Sequence, residues 1–254
     1  LAVLRDKTRR VVVSTNGYRT ERIVEIARQH PWIGVRVSME GLPRANDTLR
    51  GLPDGFDHGL RTLLALHRLG LKDIGFGITL SDHNVADLLD LYTLADMMGL
   101  EFATAAIHNS YYFHKMDNRF EHPVAAVAEL EKLISALLRS LRPKDWFRAY
   151  FNHGLIGYIH GQPRLLPCAM GSESFFLDPY GEIRPCNVME RSMGNLKERD
   201  FDSIWNSPAA EAIRREVASC GQHCWMIGSA AEPIKRHPGK ALRWIISRKL
   251  RGRP

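Results

Sequence analysis

Four cysteines, Cys168, Cys186, Cys220 and Cys224, fall within 57 residues of a 254-residue chain that has no others. Their spacing is C-x12-G-x4-C, a gap of 33 residues, then C-x3-C. Thiolates ligate zinc and iron–sulfur clusters, and two pairs on separate turns can converge into one tetrahedral sulfur site. The bland alternative is four unrelated buried thiols, which sits poorly with their complete clustering in one stretch. Zinc ribbons use two C-x2-C knuckles, a pattern this chain lacks. Spacing alone leaves a zinc ion and a 4Fe–4S cluster both open. His223, inside C-x3-C, is at most a supporting residue.

The stretch before the cysteines has another character. Short runs rich in branched and aromatic residues, Arg10–Thr15, Ile33–Ser38, Ile74–Thr79 and Glu101–Ile107, read as strands. Between them, Thr20–Gln29, Leu60–Leu69 and Asn84–Met98 have helical periodicity, the last two ending at Gly70 and Gly99. Asn84 reads as a helix N-cap. Strand–helix–strand at this spacing requires parallel strands with right-handed crossovers, in a wound sheet or part of a βα barrel. Ligands collect at the carboxyl ends of such strands. Those ends here are Ser14–Gly17, Ser38–Gly41, Thr79–Asn84 and Ile107–Ser110.

Pro123 opens a helix to about Leu141 and Pro143 a second, whose Trp146, Phe147, Tyr150 and Phe151 are expected to pack on the barrel. The alternation then stops. A hairpin around Asp178–Gly181 and short helices near Phe201–Asn206 and Pro208–Ser219 accompany the cysteines. Three segments result: an α/β part over 1–160, a cysteine module over 161–230 and a tail over 231–254.

The net charge of +7 belongs to the tail. Lys235, Arg236, Lys240, Arg243, Arg248, Lys249, Arg251 and Arg253 face only Glu232 there, and the rest of the chain balances 27 basic with 27 acidic residues. The body therefore presents no net basic charge, and no nucleic-acid partner is expected. Trp244, Ile245, Ile246 and Leu250 among those bases could rest on an anionic membrane or on nucleic acid, or pack on the barrel, but a solvated face is the favoured reading. No apolar run approaches the ~20 residues that span a bilayer. Nothing marks export, so a cytoplasmic location is expected, where four cysteines serve as metal ligands or free thiols rather than disulfides. There is no Walker-type loop and no GxGxxG, and G-F-G at Gly75–Gly77 lies inside a strand.

In order, Ser14-Thr15-Asn16-Gly17 after an apolar strand, VRVSMEG at Val35–Gly41, Arg50-Gly51, and T-x4-N at Thr79–Asn84 resemble the second half of a radical S-adenosylmethionine (SAM) core. C-x12-G-x4-C, GNL…FDSIWNSP over Gly194–Pro208, and C-x3-C-W-M at Cys220–Met226 resemble the SPASM/twitch extension of that superfamily. The resemblance runs from about Val11 to Met226. It implies an α/β fold: strands three to six of a partial (βα) barrel, followed by a small α+β SPASM/twitch module. It also implies one auxiliary 4Fe–4S cluster on Cys168, Cys186, Cys220 and Cys224, in an electron-transfer or structural role.

The family reaction is reductive cleavage of SAM to a 5′-deoxyadenosyl radical that takes hydrogen from a substrate, a peptide or small molecule, with electrons from a flavodoxin or ferredoxin. By resemblance Ser38 reaches the SAM ribose region, Thr15 and Asn16 line the pocket, and Glu40 bonds a ribose hydroxyl. Each has a plainer reading, respectively strand-end cap, Asn-Gly turn and solvated carboxylate. The family's CxxxCxxC loop, which holds the SAM-cleaving second 4Fe–4S cluster, and its Gly-Gly-Glu turn are not in these residues. The chain alone is therefore expected to be an inactive fragment of a longer enzyme. The runner-up is a non-catalytic α/β scaffold with structural zinc on the same cysteines.

Overall fold

In the computed structural model, which describes residues 1–251, the chain divides into two compact units. Arg253 of the basic tail lies outside the described residues. The first unit comprises residues 1–105 and 124–133, the second 106–123 and 134–254.

The first unit holds β1 (Val12–Thr15), α1 (Thr20–Gln29), β2 (Gly34–Ser38), α2 (Pro43–Arg50), α3 (Gly55–Arg68), β3 (Ile74–Leu80), α4 (Leu88–Met97) and β4 (Glu101–Ala106). The strands form one sheet in the order β1-β2-β3-β4. Thr15 lies opposite Val37 and Ser38 opposite Gly77, both in parallel register. This is the expected partial βα barrel. Its core is built from Val35, Val37, Met39, Phe76, Ile78 and Leu80 of the strand segments and Leu63, Leu66, Leu88 and Leu91 of the helices. Strands buried on both faces need such continuous apolar runs.

Three local expectations change. Helix α2 was not foreseen, and α3 begins at Gly55 rather than Leu60. Gly55, Gly59 and the preceding Pro-Asp look like loop, but Gly59 is needed within the helix. A Cβ there would stand 2.4 Å from the Met39 sulfur. The cap of α3 is also remote in sequence: Asp47, on α2, accepts from the backbone N–H groups of Asp54 (2.9 Å) and Phe56 (3.0 Å). These bonds, that to Phe56 foremost, hold its carboxyl below the usual range. Third, Asn84 precedes a short 3-10 turn but makes no side-chain cap. Its buried amide instead accepts from Ser81 N (2.8 Å) and donates to Thr79 O (2.9 Å), closing the loop after β3.

Asp73 pins the amino ends of the strands. It accepts from Arg10 Nε (2.7 Å) and Nη2 (2.9 Å) and from Arg36 Nη2 (2.6 Å). Arg10 first and then Arg36 hold its carboxyl well below the ordinary carboxylate range, against an opposing effect of burial. A pKa depressed in the folded state gives stability that is present above the unfolded value, about 3.9, and lost as pH falls through the folded one. Asp73→Asn is therefore expected to lower the melting temperature at pH 7, with the gap to wild type shrinking as pH falls below about 4. A gap independent of pH in thermal melts would contradict this.

The second unit contains the remainder of α5 (Pro123–Arg139), then α6 (Pro143–Ile159), β5 (Phe176–Leu177), β6 (Glu182–Arg184), β7 (Gly194–Asn195), α7 (Phe201–Trp205), α8 (Pro208–Ala218), α9 (Ile227–Arg236) and α10 (Pro238–Arg251). The hairpin forms where expected. Asp178 Oδ1 accepts from Tyr180 N (2.8 Å) and Glu182 N (3.0 Å), and Gly181 supplies the left-handed turn at φ +91°. Asp200 and Ser207 cap α7 and α8.

The α6 aromatics find other partners than the expected barrel. Phe151 stacks on Trp225 (6.2 Å), Tyr150 meets Trp244 edge-on (5.6 Å) and Lys249 Nζ sits 3.8 Å above the Trp146 ring. The described part of the tail is accordingly a helix docked on α6 through buried Ala241 and Ile245, not a wholly solvated run.

Candidate metal centre

The four cysteines arrive from four irregular segments, each brought in by an identifiable contact. Cys168 precedes a turn in which Gly171, at φ +77°, packs so closely on Pro185 that a Cβ would lie 3.2 Å from the proline's. Pro185 leads directly into Cys186 at the end of β6. Arg214 on α8 reaches Gly171 O (2.8 Å) and Trp205 O (2.5 Å), tying α8, with Cys220 just past its end, to the Cys168 turn.

Cys224 is placed by its neighbour. Trp225 is 2% exposed and donates from Nε1 to Phe151 O at 2.8 Å. Gly154 on α6 leaves room for the indole, since a Cβ there would be 2.1 Å from Trp225 Cε2. Over the ring lies Arg164 (5.1 Å), whose three donor nitrogens bond Leu166 O (3.1 Å), Ser229 Oγ (3.1 Å) and Ser229 O (2.8 Å).

The four sulfur residues share one cavity of about 420 Å³, counted to its open mouth, with Arg164 and His223 in its wall. None forms a disulfide. Burial pushes the Cys186 thiol up, with backbone bonds from Met189 and Val188 opposing and the charges of Cys168 and Cys220 adding; it pushes the Cys224 thiol up to about 11, with the charges of the other three cysteines adding and Arg164 opposing. Thiols held close in a dry pocket repel as thiolates, so a cationic centre is what would let them ionise together, with release of protons.

Among the described residues, no three His, Cys, Asp or Glu side chains converge closely enough to hold one metal ion. Four thiols lining one cavity are the donor set of a 4Fe–4S cluster and of a tetrahedral zinc site alike.

A loop leaving β4 holds the residue after Cys186. Asn187 O accepts from Ser110 Oγ (2.7 Å) and Tyr112 N (3.1 Å), and its Nδ2 meets His108 Nε2 at 3.4 Å. Tyr111 OH donates to Glu190 at 2.6 Å, and Tyr112 packs edge-on against Phe176. His108, read from sequence as an ordinary polar residue, is a half-buried part of this latch, and burial lowers its pKa.

The other candidates stand at the carboxyl end of the parallel sheet in the first unit. Thr15 Oγ1 accepts from Gly17 N (3.2 Å) and Asn16 Oδ1 from Tyr18 N (3.1 Å), so both shape the turn after β1. Ser38 ends β2, half-buried. Glu40 is partly buried, and its carboxylate accepts from Arg50 Nη2 (2.8 Å) on one oxygen and from Thr79 N (2.7 Å) on the other. Beside it, Arg50 Nε is buried with no hydrogen-bond partner. Arg50 figures in the sequence only within the Arg50-Gly51 pair, and no local pattern marks Arg164 or Asn187. A Trp directly after the last cysteine was the one local sign of an anchor.

Residues 168–225 match the SPASM family, an iron–sulfur cluster-binding domain. Over 93% of its length the chain has the fold of native anSMEcpe with bound AdoMet, with a TM-score of 0.57 at 12% identity, covering 73% of that structure. The chain thus carries a SPASM module. It is 27% identical over 222 residues to mycofactocin maturase MftC of Mycobacterium ulcerans (strain Agy99), 83% of this chain and 58% of that protein. It is 24% identical over 225 residues to the antilisterial bacteriocin subtilosin biosynthesis protein AlbA of Bacillus subtilis (strain 168), 86% and 48%. A shorter match, 35% over 98 residues, links it to Fe-coproporphyrin III synthase of Methanosarcina barkeri (strain Fusaro / DSM 804), 37% and 24%. This chain thus spans about half the length of the two long-matching relatives. No described helix is long and apolar enough to cross a membrane.

Proposed function

We propose that this chain serves a radical SAM enzyme that modifies a peptide, and that Cys168, Cys186, Cys220 and Cys224 together hold one auxiliary 4Fe–4S cluster. The observation that carries the reading is that all four cysteines line one cavity, inside the residues that match an iron–sulfur cluster-binding domain. In such an enzyme SAM and its own cluster supply a 5′-deoxyadenosyl radical, and the auxiliary cluster takes up or gives an electron.

The chain's own residues do the rest. The SPASM module over 161–230 excludes water from the thiolates through Met170, Val188 and Met226, and Arg164 offsets their negative charge. The barrel portion over 1–160 presents Ser38, Thr15 and Asn16 at the sheet mouth as SAM-facing surface. Glu40 stands there too, oriented by Arg50 and Thr79, with acceptor capacity left on each oxygen for a ribose hydroxyl. The buried, unpartnered Nε of Arg50 is the donor an anionic ligand there would take. The basic tail over 231–254 stays outside this chemistry. Free cysteine ligands suit a reducing cytoplasm, with a flavodoxin or ferredoxin as electron donor.

A peptide substrate is supported by relatives named for mycofactocin maturation, subtilosin biosynthesis and sporulation killing factor maturation. The fold neighbours bound to AdoMet and a Kp18Cys or Cp18Cys peptide point the same way. A tetrapyrrole reading is supported by the shorter match to Fe-coproporphyrin III synthase and by one over 242 residues, 24% identical, to pre-heme d1 synthase of Dinoroseobacter shibae.

The test is anaerobic reconstitution of the wild type and of the four Cys→Ala variants. Wild type is expected to be brown, with broad absorbance near ~400 nm, and each variant to lose most of its iron. Cys186→Ala should also raise hydrogen exchange over 168–226 while sparing the barrel helices. A colourless protein carrying one zinc would favour the structural-metal scaffold instead.

A further inference from the structure

Helix α10 carries two apolar stripes, and only one is used within the chain. Ala241 and Ile245 are buried on α6, and Trp244 stacks on His153 at 4.7 Å. Leu242, Ile246 and Leu250 follow one another at i, i+4 and i+8 and are 42%, 56% and 63% exposed. At about 100° of turn per residue these three form a band along the flank of the buried stripe. Arg243 borders the band on its outer side, with Lys240 and Arg251 beyond, while Lys249 on the inner side is held over the Trp146 ring of α6. No acidic residue lies on α10, and the tail's one acid, Glu232, is paired with Lys235.

We propose that α10 lies on the surface of an anionic phospholipid bilayer, with Leu242, Ile246 and Leu250 in the acyl boundary and its lysines and arginines at the headgroups. An interfacial helix requires this arrangement, an apolar stripe flanked by cations whose long stems can reach up to phosphate. The cytoplasmic leaflet is anionic, so the surface fits the compartment as well as the charge. Nucleic acid would satisfy the cations but offers no apolar layer for three aliphatic side chains. A merely solvated helix has no reason to align them. The helix lies on the membrane rather than spanning it, in keeping with its length of 14 residues.

The experiment is co-sedimentation of the purified protein with vesicles of phosphatidylcholine alone or mixed with phosphatidylglycerol. Binding is expected only to the mixed vesicles and should weaken with salt. The triple variant Leu242→Ser, Ile246→Ser, Leu250→Ser is expected to partition at least about tenfold less. Its melting temperature and iron content should match wild type, because none of the three side chains is buried. Arg243→Gln with Lys240→Gln should weaken binding to the mixed vesicles while leaving the fold intact. Equal partition of the triple variant, equal binding to both vesicle types, or no binding to either would overturn the proposal. Salt-sensitive binding to duplex DNA without vesicle binding would do the same and assign the tail to nucleic acid.

Discussion

Replacing Gly154 with alanine is expected to strip iron from the SPASM module although no cysteine is touched. The added methyl would lie 2.1 Å from Trp225 Cε2 and 2.2 Å from Nε1. The indole cannot step aside cheaply, because it is fully buried, bonded to Phe151 O, stacked on Phe151 and covered by Arg164. Overpacking of this kind costs about 1–3 kcal/mol or more, and losing the buried indole hydrogen bond adds about 1–3 kcal/mol. Trp225 is bonded in sequence to Cys224, so a displaced ring carries the ligand with it. Gly157, one turn further along α6, is the control. Its nearest neighbour to a new Cβ is 3.6 Å away, and alanine in mid-helix is favoured over glycine by about 0.5–1 kcal/mol. Iron analysis and thermal melts should therefore show Gly154→Ala depleted and destabilised and Gly157→Ala at or above wild type. Equal iron in the two variants would refute the anchoring role of Trp225.

The second large effect lies in the barrel portion. In Gly75→Ala the new Cβ would sit 1.9 Å from the carbonyl oxygen of Glu101, a backbone atom of the neighbouring strand β4. Relief requires β3 and β4 to part, and the buried backbone groups that then lose partners each cost about 1–3 kcal/mol. Gly77, two residues on and on the same face of β3, has nothing within 4 Å of a new Cβ. Gly75→Ala is thus expected to unfold the sheet or leave the protein insoluble, while Gly77→Ala folds normally. Circular dichroism and solubility separate the outcomes, and a Gly75→Ala protein as stable as Gly77→Ala would contradict the β3–β4 packing described above.

This glycine pair also marks how far residue patterns carry. G-F-G could be placed inside a strand from its neighbours, but only β4 shows that Gly75 is a close approach and Gly77 is not. The four parallel strands were legible because Val, Ile and Phe runs of that length have few other uses. The cysteine centre was legible from clustering and from resemblance to the SPASM extension. The start of α3 was not, since Gly55 and Gly59 carry loop propensity that packing against Met39 overrides.

Contacts that define the centre join residues far apart in sequence. Arg164 meets Ser229, His108 meets Asn187 and Trp225 meets Phe151, and no local pattern announces such pairs. The tail was misjudged for the same reason: its charges are solvated, as charge suggested, yet Ala241, Trp244 and Ile245 find partners on α6. Glu40 is a further case: its position after a strand is that of a ligand-binding carboxylate, but the contacts with Arg50 and Thr79 that orient it cannot be read from the sequence.

The account turns on what Cys168, Cys186, Cys220 and Cys224 hold. Iron and acid-labile sulfide analysis of the anaerobically prepared protein, with electron paramagnetic resonance of the dithionite-reduced sample, addresses this directly. The prediction is about four iron and four sulfide per chain and a reduced-cluster signal, all lost in Cys224→Ala. Stoichiometric zinc with no sulfide, or iron retained in Cys224→Ala, would contradict it.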